Sequence, residues 1–360
     1  MGSGFVGRNV FQQLARAGQP PLEALVPEGW NLETPDTLRV RLYPVKPGVA
    51  HKFLRENVLL RRAIRRNMKG TRLFSLTDTS MLLCPVPHLL LVQQAYLAHA
   101  WHTLGLTLAP LIRQRFKLME LHFRLGLPSV TKLTVQSDLM KNRISSRWNI
   151  PPETIVVVPS SASLPRQCVG SWHPPQSQTA SLFCPTHGGP HKNNEVLIPM
   201  MAELRKQGID AVCFLTAHPF EVSGLMEQAR RLRLVNRFRI LGRIPRSQVL
   251  ELMRSATAVI LPSKMESFGL SYYEAMGIGS PIVASDLEFA REACGPAAVY
   301  CNPDSGEEYA QAVLQLLHQS ALSEDLSLKG RSRYERLDRG WEWVANQYRT
   351  VLEGLARWGG

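Results

Sequence analysis

Residues 258–286 read AVILPSKMESFGLSYYEAMGIGSPIVASD, and this stretch decides the fold that the sequence predicts. It starts with a short apolar run, passes through a loop into a helix-like segment near Gly269, and returns to a second apolar run at 281–285. A strand, a helix and a further strand in that order are typical of a parallel sheet covered by helices on both faces. The stretch therefore predicts one unit of an α/β domain.

The same alternation extends over most of the second half of the chain. Further strands are predicted at 181–186, 210–217, 238–241 and 297–301, and helices at 193–208, 222–234, 246–255 and 306–318. Such a series indicates a Rossmann-like domain, which we assign to residues 181–340.

The rest of the chain gives a weaker signal of the same kind. Short apolar runs predict a second Rossmann-like domain over residues 1–165, with strands at 73–76, 88–93, 132–137 and 154–160. The Ser- and Pro-rich stretch 166–180 is predicted to be the linker between the two domains. Residues 341–360 are predicted to form a C-terminal helix that crosses back and packs over a domain boundary, with Trp341, Val344, Tyr348 and Leu352 at helical spacing.

The positive charge of the chain lies in its first half. The 360 residues carry 42 Lys and Arg against 29 Asp and Glu, a formal net charge of +13. Residues 1–170 hold 22 of these basic residues and 9 of the acidic ones, whereas the remaining residues hold 20 of each. Because a basic surface attracts anions, the first domain is expected to meet an anionic partner.

The composition excludes several classes of protein. Apolar residues make up 44% of the chain and charged residues 20%, which is typical of a globular protein and not of collagen, a coiled coil or a disordered chain. The six cysteines never come as close as Cys-x-x-Cys, which argues against a structural zinc site. Neither an apolar run of about 18 residues nor a signal-peptide pattern occurs. We therefore expect a cytoplasmic protein, with a peripheral position on the inner face of the membrane as a further option.

The chain begins with MGSGFVGRNV, in which Gly2, Gly4 and Gly7 match the Gly-x-Gly-x-x-Gly pattern of dinucleotide-binding loops. That pattern requires a preceding strand and an acidic residue at the end of a second strand about 20 residues later. Here no strand precedes the glycines, so the first strand of the domain is expected to be missing, and Glu23 lies among prolines. We expect a loop that faces a phosphate or a sugar, with an NAD(P) site and a structural turn as the alternatives.

Residues 52–72 concentrate positive charge around a regular apolar pattern. Their basic residues are Lys52, Arg55, Arg61, Arg62, Arg65, Arg66, Lys69 and Arg72. The apolar residues recur every three to four positions, so a helix here would have a cationic face. Such a helix can bind an anionic membrane surface, and the alternative is a crossover helix with a solvated basic face. Nucleic acid is not expected as a partner, because no aromatic interleaving or binding motif accompanies the charge.

Glu266 and Glu274 carry the strongest chemical signal, with seven residues between them. Gly269 would let a ligand approach the free N–H groups of the first helical turn, where the helix dipole favours phosphate. Glu266 then precedes this anion site, and Glu274 lies about two turns along the helix. Ionised carboxylates accept strong hydrogen bonds, so one could bind a sugar near the phosphates and the other a ribose. The alternative is that both are solvated residues.

This segment resembles the Glu-x7-Glu motif of the retaining nucleotide-sugar glycosyltransferases of family four, also called group 1 glycosyltransferases. That family has the GT-B fold of two facing Rossmann-like domains. The stretches 239–263 and 275–303 also resemble the family in order and spacing, so the similarity covers about residues 181–318. The first half resembles it loosely, through the Gly-rich start and residues 130–161.

The resemblance implies a role for individual residues. Glu266 would contact the donor sugar near the reaction centre, and Lys192, in the HKN-type sequence PHKNNE, would offset the charge of the departing nucleoside diphosphate. Donor-binding roles are implied for Gly4, Lys192, Arg243, Ile244, Ser267, Phe268, Gly269, Leu270 and Glu274. Among these, the amides at 268–270 would hold the diphosphate and Glu274 would bind the ribose. Neither a metal ion nor a cofactor is implied, because lysine and helix amides neutralise the phosphates.

The sequence departs from the family pattern at several positions. Many members have an arginine five places before the phosphate-binding lysine, and this chain has His187 there. Tyr272 and Tyr273 replace residues that are commonly small or aliphatic. For the histidine that many members place near the acceptor, His99 and His102 are the candidates. His187 and His191 are expected to be loop or capping residues rather than ligands.

These observations predict a retaining glycosyltransferase that moves a sugar from a nucleotide-diphosphate sugar to a glycan or lipid-linked acceptor at the membrane surface, as in polysaccharide biosynthesis. One alternative is an NAD(P)-dependent nucleotide-sugar epimerase or reductase, argued from the Gly-rich start, although no Tyr-x-x-x-Lys pair follows Tyr272 or Tyr273. The other is a glycosyltransferase-like binding protein without catalytic activity.

Overall fold

The computed structural model describes residues 2–16, 22–27, 40–45, 55–66, 71–76, 78–99, 110–175 and 179–355. These residues form two compact units. The first unit contains the described residues up to His99, those from Pro110 to Ser161, and those from Arg339 onward. The second unit contains the described residues from Ala162 to Asp338.

The first unit is built on short parallel strands. Its helices up to residue 161 are α1 (Gly2–Arg16), α2 (Arg61–Arg66), α3 (Ala95–Ala98), α4 (Pro110–Gly126) and α5 (Asp138–Trp148), and a π-helical turn at Arg55–Leu60 leads into α2. Its strands are β1 (Leu22–Pro27), β2 (Val40–Val45), β3 (Leu73–Ser75), β4 (His88–Leu91), β5 (Lys132–Val135) and β6 (Ile155–Val157). The strands β1 and β2 pair with each other, and β3 to β6 form a four-stranded parallel sheet in that order.

The sheet β3–β6 confirms the four strands predicted for the first half of the chain. Leu89, Leu90 and Leu91 of β4 are fully buried, as expected of a strand covered on both faces. The strands β1 and β2 were not among the predicted strands, and Glu23 lies within β1.

The start of the chain is helical, so the loop predicted there from the glycine pattern is wrong. Helix α1 includes Gly4 within its first turns. Val6 and Val10 are buried one turn apart, and the side chain of Asn9 donates a hydrogen bond of 2.8 Å to the carbonyl of Phe5. The burial of residues at helical spacing stabilises the helix, and this stabilisation outweighs the low helix propensity of glycine.

The second unit alternates strands and helices along its whole length. Its strands are β7 (Ala180–Cys184), β8 (Ala211–Leu215), β9 (Phe238–Ile240), β10 (Ala258–Leu261), β11 (Ile282–Ser285) and β12 (Val299–Cys301). Its helices are α6 (Leu197–Lys206), α7 (Ser223–Arg231), α8 (Arg246–Ser255), α9 (Leu270–Ile278), α10 (Glu288–Cys294), α11 (Gly306–His318) and α12 (Ser320–Leu337). Five of the six strands fall within the runs predicted from the sequence, and β7 begins one residue before its predicted run. Helix α12 was not predicted.

The six strands form one parallel sheet in the order β12-β11-β10-β7-β8-β9. The chain first builds β7, β8 and β9 outward in one direction, and then returns to place β10 on the free side of β7. The direction of winding therefore reverses between β7 and β10. In open α/β sheets, the loops that follow two such strands diverge and leave a crevice at their carboxyl ends.

The stretch predicted as a linker, 166–180, packs on the second unit where it is described. The backbone N–H groups of Gly170 and Trp172 donate to the carbonyls of Gly277 and Ile278 at 2.8 and 3.0 Å. The indole N–H of Trp172 donates to the carbonyl of Ala256 at 2.8 Å.

The last helix, α13 (Gly340–Leu355), belongs to the first unit. The rings of Trp341 and Phe5 lie 5.8 Å apart, and those of Tyr348 and Phe74 lie 5.0 Å apart. The C-terminal helix therefore returns to the N-terminal unit, as the fold prediction expects.

Among the described residues, the structure contains no helix with both the length and the apolar character needed to cross a bilayer.

Candidate active site

Lys192 and Glu266 meet at the point where the winding of the sheet reverses. Lys192 ends a 3₁₀ turn, Pro190–Lys192, in the loop after β7, and Glu266 lies in the loop after β10. The Nζ atom of Lys192 lies 2.6 Å from Oε1 of Glu266, and the hydroxyl of Ser263 donates to the same oxygen at 2.8 Å. The Lys192 and Glu266 side chains are only 18% and 15% exposed, so the pair is largely withdrawn from water.

The charge of Lys192 keeps Glu266 ionised. Burial by itself would raise the pKa of the Glu266 carboxyl group, because a charged group loses hydration. The positive charge of Lys192, the neighbouring His191 and the hydrogen bonds from Lys192 and Ser263 outweigh that effect, and the pKa of Glu266 lies below its ordinary value. The site therefore contains a cation and an anion in close contact.

Backbone and side-chain contacts hold the two loops together. The N–H group of Lys264 donates to the carbonyl of His191 at 2.7 Å, and the ammonium of Lys264 pairs with Asp304. The side chain of Asn193 donates to the carbonyl of Pro303 at 2.6 Å. Because these contacts fix both loops, Lys192 and Glu266 are positioned before any ligand binds.

Gly269 starts helix α9 immediately after this pair. Its backbone has a φ of +73°, in the left-handed region, and an added Cβ atom would lie 2.5 Å from Cδ2 of Tyr272. Glycine has no side chain to cap the helix, so the N–H groups of Leu270 and Ser271 are left for another acceptor. Phe268 is buried and Ser267 is half-buried in the turn that precedes Gly269. The predicted diphosphate-binding amides therefore lie together at the start of α9.

The two tyrosines that depart from the family pattern support this turn. The ring of Tyr273 stacks on Phe268 with centroids 4.3 Å apart and an interplanar angle of 6°. Tyr272 is 2% exposed, and its hydroxyl lies 3.4 Å from the carbonyl of Leu261 at the end of β10. The aromatic pair thus fixes Phe268, and Tyr272 fills the space beside the glycine.

Glu274 of helix α9 forms a second ion pair. Its Oε1 atom accepts a hydrogen bond of 2.8 Å from Nε of Arg246, the first residue of α8, and Arg246 also donates to the carbonyl of Ala162. Burial raises the pKa of Glu274, although the charge and the hydrogen bond of Arg246 act in the opposite direction. Burial therefore outweighs the effect of Arg246, and the pKa of Glu274 lies above its ordinary value.

Arg246 is not among the site residues predicted from the sequence. The predicted residues Arg243 and Ile244 lie three and two residues earlier, in the loop after β9; Arg243 is exposed and Ile244 is half-buried. A signal for Arg246 exists, because a cation at the start of a helix opposes the helix dipole and needs an anion nearby. Ser263 was also missed, although it lies only three residues before its partner Glu266.

The loop after β7 contains two histidines in contact. The rings of His187 and His191 lie 5.3 Å apart in an edge-on arrangement, and the N–H group of Gly189 donates to Nδ1 of His187 at 3.0 Å. Desolvation, followed by the positive charge of Lys192, lowers the pKa of both histidines to about 4. Both rings are therefore neutral near neutral pH, so Lys192 is the charged group of this loop.

The remaining predicted residues lie in the first unit or outside the described residues. Gly4 lies in α1, and His99 is buried with its Nε2 atom 3.0 Å from Nη1 of Arg143. His102 lies outside the described residues. Within the described part of the chain, no three histidine, cysteine, aspartate or glutamate side chains converge as metal ligands would.

The family model for glycosyl transferases group 1 matches residues 176–333, which include the Lys192–Glu266 pair and helix α9. The glycogen synthase of Mycobacterium tuberculosis is 32% identical over 134 residues, which are 37% of this chain and 32% of that enzyme. The phosphatidyl-myo-inositol mannosyltransferase of Mycobacterium leprae is 31% identical over 178 residues, 49% of this chain and 46% of that enzyme. The chain thus spans about half or less of the length of these curated relatives.

Solved structures of similar fold cover almost the whole chain. The glycosyltransferase WaaG, which is involved in lipopolysaccharide biosynthesis, superposes with a TM-score of 0.76 at 14% identity and covers 98% of this chain and 96% of WaaG. The Anabaena protein HepE in complex with UDP and glucose gives a TM-score of 0.71 at 13% identity, over 98% of this chain and 96% of HepE. At this level of identity, the similarity shows the fold. Residues 176–333 therefore match the model of the group 1 glycosyltransferases, within a chain that has the GT-B fold of two Rossmann-like units.

Proposed function

We propose that this protein is a retaining glycosyltransferase of family four, with the HKN-type loop, which transfers a sugar from a nucleotide-diphosphate sugar to a glycan or lipid-linked acceptor. The observation that carries the proposal is the Lys192–Glu266 ion pair. It lies where the winding of the sheet reverses between β7 and β10, and Gly269 begins helix α9 beside it. Ligands of open α/β sheets bind in the crevice at such a point.

The diphosphate of the donor would lie between Lys192 and the start of α9. The free N–H groups at a helix start and the helix dipole favour an anion. Lys192 adds a full positive charge on the other side, and it would share that charge between Glu266 and the phosphates. Arg243 is exposed in the loop after β9, where it would flank the base together with Ile244.

Glu266 and Glu274 would hold the hydroxyl groups of the donor. Because the pKa of Glu266 is lowered, this carboxylate stays ionised and can accept hydrogen bonds from the transferred sugar. Glu274 of α9, whose Oε1 atom accepts a hydrogen bond from Arg246, would accept hydrogen bonds from the ribose. These contacts orient the anomeric carbon relative to the leaving phosphate.

In the proposed transfer, the bond between the anomeric carbon and the diphosphate oxygen breaks, and a bond from the acceptor oxygen to the same face of that carbon forms. The proton of the acceptor hydroxyl passes to the leaving phosphate oxygen. Negative charge grows on the diphosphate as the bond breaks, and Lys192 with the α9 amides would stabilise it. Groups that stabilise such charge typically contribute a factor of about 100 to 1,000 in rate.

The relatives support the substrate classes of this proposal. HepE has been crystallised with UDP-glucose, so a protein of this fold binds a nucleotide sugar. Some of the mycobacterial relatives, from Mycobacterium leprae and Mycobacterium tuberculosis, are named as mannosyltransferases of phosphatidyl-myo-inositol, which is a lipid. A lipid-linked acceptor also suits the basic first half of the chain.

A cationic face on the segment 52–72 supports a position at an anionic membrane surface. In its described part, 55–66, the side chains of Arg62, Arg65 and Arg66 are exposed and Ile64 is buried. The helix therefore has an apolar side turned inward and a basic side turned to water. Each basic residue near an anionic leaflet contributes about 1 kcal/mol of attraction, and the leaflet facing the cytoplasm carries such lipids.

Saturation-transfer NMR with UDP-, GDP- and ADP-sugars, and with NAD and NADP, tests the proposed site. We expect one class of nucleotide sugar to bind, and the signal to disappear in Glu274→Ala but not in the matched surface variant Glu251→Ala. Binding of NAD or NADP alone would instead indicate the epimerase or reductase alternative. Binding of no nucleotide at all would contradict the proposal.

Transfer activity with the donor so identified separates an enzyme from an inactive binding protein. We expect Lys192→Ala and Glu266→Ala to lose more than about a hundredfold in activity, while Lys206→Ala, an exposed lysine on α6, keeps it. Donor binding without transfer or donor hydrolysis in the wild-type protein would identify the inactive alternative. Full activity in both site variants would refute the mechanism.

A further inference from the structure

Helix α4 exposes a stripe of leucines to solvent. Leu111 is 77% exposed, Leu118 66%, Leu125 59% and Leu121 52%. Their spacings of seven, three and four residues place them on one face of an α-helix. The helix has 17 residues and is about 25 Å long, so the stripe runs along nearly its whole length. Contiguous exposed apolar surface of this kind marks an interaction site.

The opposite face of α4 is packed against the first unit and cannot turn outward. The ring of Phe116 stacks on Tyr96 with centroids 4.4 Å apart, and Phe123, fully buried, contacts the ring of Trp148 at 4.9 Å. The carboxylate of Glu120 pairs with Arg147 on α5. The leucine stripe is therefore the outer surface of an anchored helix.

Basic side chains border the stripe. Arg113, Lys117 and Arg124 are exposed and follow one another at spacings of four and seven residues, which places them in a row beside the leucines. Arg115 is exposed on the other side. Glu120, the acidic residue of this helix, faces inward and is neutralised by Arg147. The outer face of α4 thus combines four leucines with four cations and presents no carboxylate.

We infer that the leucine stripe of α4 inserts into the surface of an anionic lipid bilayer, with the helix lying in the plane of the interface. An interfacial helix of this kind has an apolar face buried at the level of the acyl chains and lysines or arginines that reach the phosphates beside it. The four cations favour a bilayer over a second copy of this chain, because two copies would bring the same positive charges together. Nucleic acid would satisfy the charges but not the leucines.

This inference rests on the proposed function in one respect, namely that the acceptor is a lipid at the membrane. It adds a surface that the basic segment 52–72 does not provide, because Arg62, Arg65 and Arg66 offer charge, whereas α4 offers both charge and apolar insertion. Attraction by charge alone is screened by salt, and insertion of leucines is not. The two contributions can therefore be separated by experiment.

Flotation of the full chain with phosphatidylcholine vesicles, with and without phosphatidylglycerol, tests the inference. We expect binding to the anionic vesicles, a residual bound fraction at high salt, and a loss of affinity of at least about tenfold in Leu118→Gln/Leu125→Gln. The matched control is Leu232→Gln/Leu328→Gln, which changes two exposed leucines of the second unit and should bind as the wild type does. Equal binding by both double variants would overturn the inference.

Three further sets of measurements keep the outcomes distinct. Circular dichroism and thermal unfolding should be unchanged in the α4 double variant, because its leucines are exposed in the folded protein. Sedimentation equilibrium without lipid should show the same mass for wild type and variant, and a dimer that dissociates in the variant would overturn the inference in favour of a second copy. Saturation-transfer NMR should show the same donor binding in both proteins, so failure of the donor site would be seen separately from failure of the vesicle test.

Discussion

The ammonium of Lys192 and the carboxylate of Glu266 lie 2.6 Å apart, although the two residues are separated by 74 positions in the chain. The pair joins the loops that follow the two central strands β7 and β10 of the second unit. Each partner offsets the free energy that the other would lose on leaving water. The ionised state of Glu266 therefore depends on Lys192, and this dependence can be measured without a substrate.

We expect Lys192→Met to destabilise the protein by about 1–3 kcal/mol near neutral pH, because an unpaired carboxylate would stay largely buried; complete burial would give about 3–5 kcal/mol. In the wild type, the lowered pKa makes Glu266 stabilising above its ordinary value of 4.5, and this contribution is lost as the pH falls through the folded-state pKa. In the variant, only His191 and the hydrogen bond from Ser263 still oppose the effect of burial, so we expect the folded-state pKa of Glu266 to rise above 4.5. Its stability should fall as the pH rises towards that value, as urea unfolding over a pH series will show.

The double variant Lys192→Met/Glu266→Gln is the control for this prediction. It removes the charge as well as the partner, so the new pH dependence should disappear. Lys206→Met, an exposed lysine, should unfold as the wild type does at every pH. Identical pH profiles for Lys192→Met and the wild type would contradict the coupling.

Gly269→Ala should lower both stability and donor affinity. The left-handed φ of +73° strains any residue with a Cβ atom, and this Cβ would also lie 2.5 Å from the ring of Tyr272. Gly208→Ala isolates the first effect, because Gly208 has a φ of +77° and no atom within 4 Å of the added Cβ. We expect about 1–2 kcal/mol of destabilisation for Gly208→Ala and about 1–3 kcal/mol more for Gly269→Ala, measured by urea unfolding. Equal losses of unfolding free energy in the two variants would contradict this, because the ring of Tyr272 would then move aside without a cost in stability.

The strands of the four-stranded and six-stranded sheets could be predicted because parallel strands covered on two faces leave apolar runs in the sequence. The strands β1 and β2 were not predicted. Helix α4 gives no such clear pattern. Phe116, Met119 and Phe123 lie on its inner side, while Leu118 and Leu121 lie on its outer side. Apolar residues therefore surround the helix, and a search for a single apolar face does not indicate which side meets the core.

The part of the site that lies within one segment of the sequence could be predicted. Glu266, Gly269 and Glu274 lie within one short segment, so the motif and the start of the helix can be recognised together. Arg246 could not be recognised in this way, because it meets Glu274 across 28 positions and from a different helix. Such a contact is made by the packing of α8 and α9, which a single sequence does not specify.

Glu274→Gln should weaken donor binding without weakening the fold. Burial raises the pKa of Glu274, so ionisation of this group opposes folding above its ordinary value of 4.5, and glutamine removes that unfavourable contribution. Arg246 keeps its hydrogen bond to the carbonyl of Ala162. We expect a loss of donor affinity of at least about tenfold, the worth of a charged hydrogen bond, with unchanged or higher stability at neutral pH.

Isothermal titration calorimetry and urea unfolding of the same samples check this prediction. Glu251→Gln is the matched control, because Glu251 pairs with Arg254 on an exposed face of α8. A clear loss of stability in Glu274→Gln would contradict the prediction, because it would show that the main role of the ion pair with Arg246 is to stabilise the fold.

The affinity for the donor should rise as the pH falls below neutral, through His191. Burial, and then the charge of Lys192, lowers the pKa of this histidine from 6.5 to about 4, while Glu266 acts in the opposite direction and His187 adds to the lowering. A diphosphate bound beside the loop would raise the pKa of His191 in the complex, so that binding takes up a proton. As the pH falls from the pKa of His191 in the complex to its pKa in the free protein, the donor affinity should increase. The increase should be about tenfold for each unit that separates the two pKa values.

Calorimetric titration with the nucleotide sugar itself suits this test, because its diphosphate diester has no group that titrates near neutral pH. His191→Gln should flatten the pH profile, and His187→Gln/His191→Gln should flatten it further. His318→Gln changes an exposed histidine at the end of α11 and should keep the slope of the wild type. If the wild type and His191→Gln show the same slope, the diphosphate does not lie beside this loop, and the position proposed for the donor is wrong.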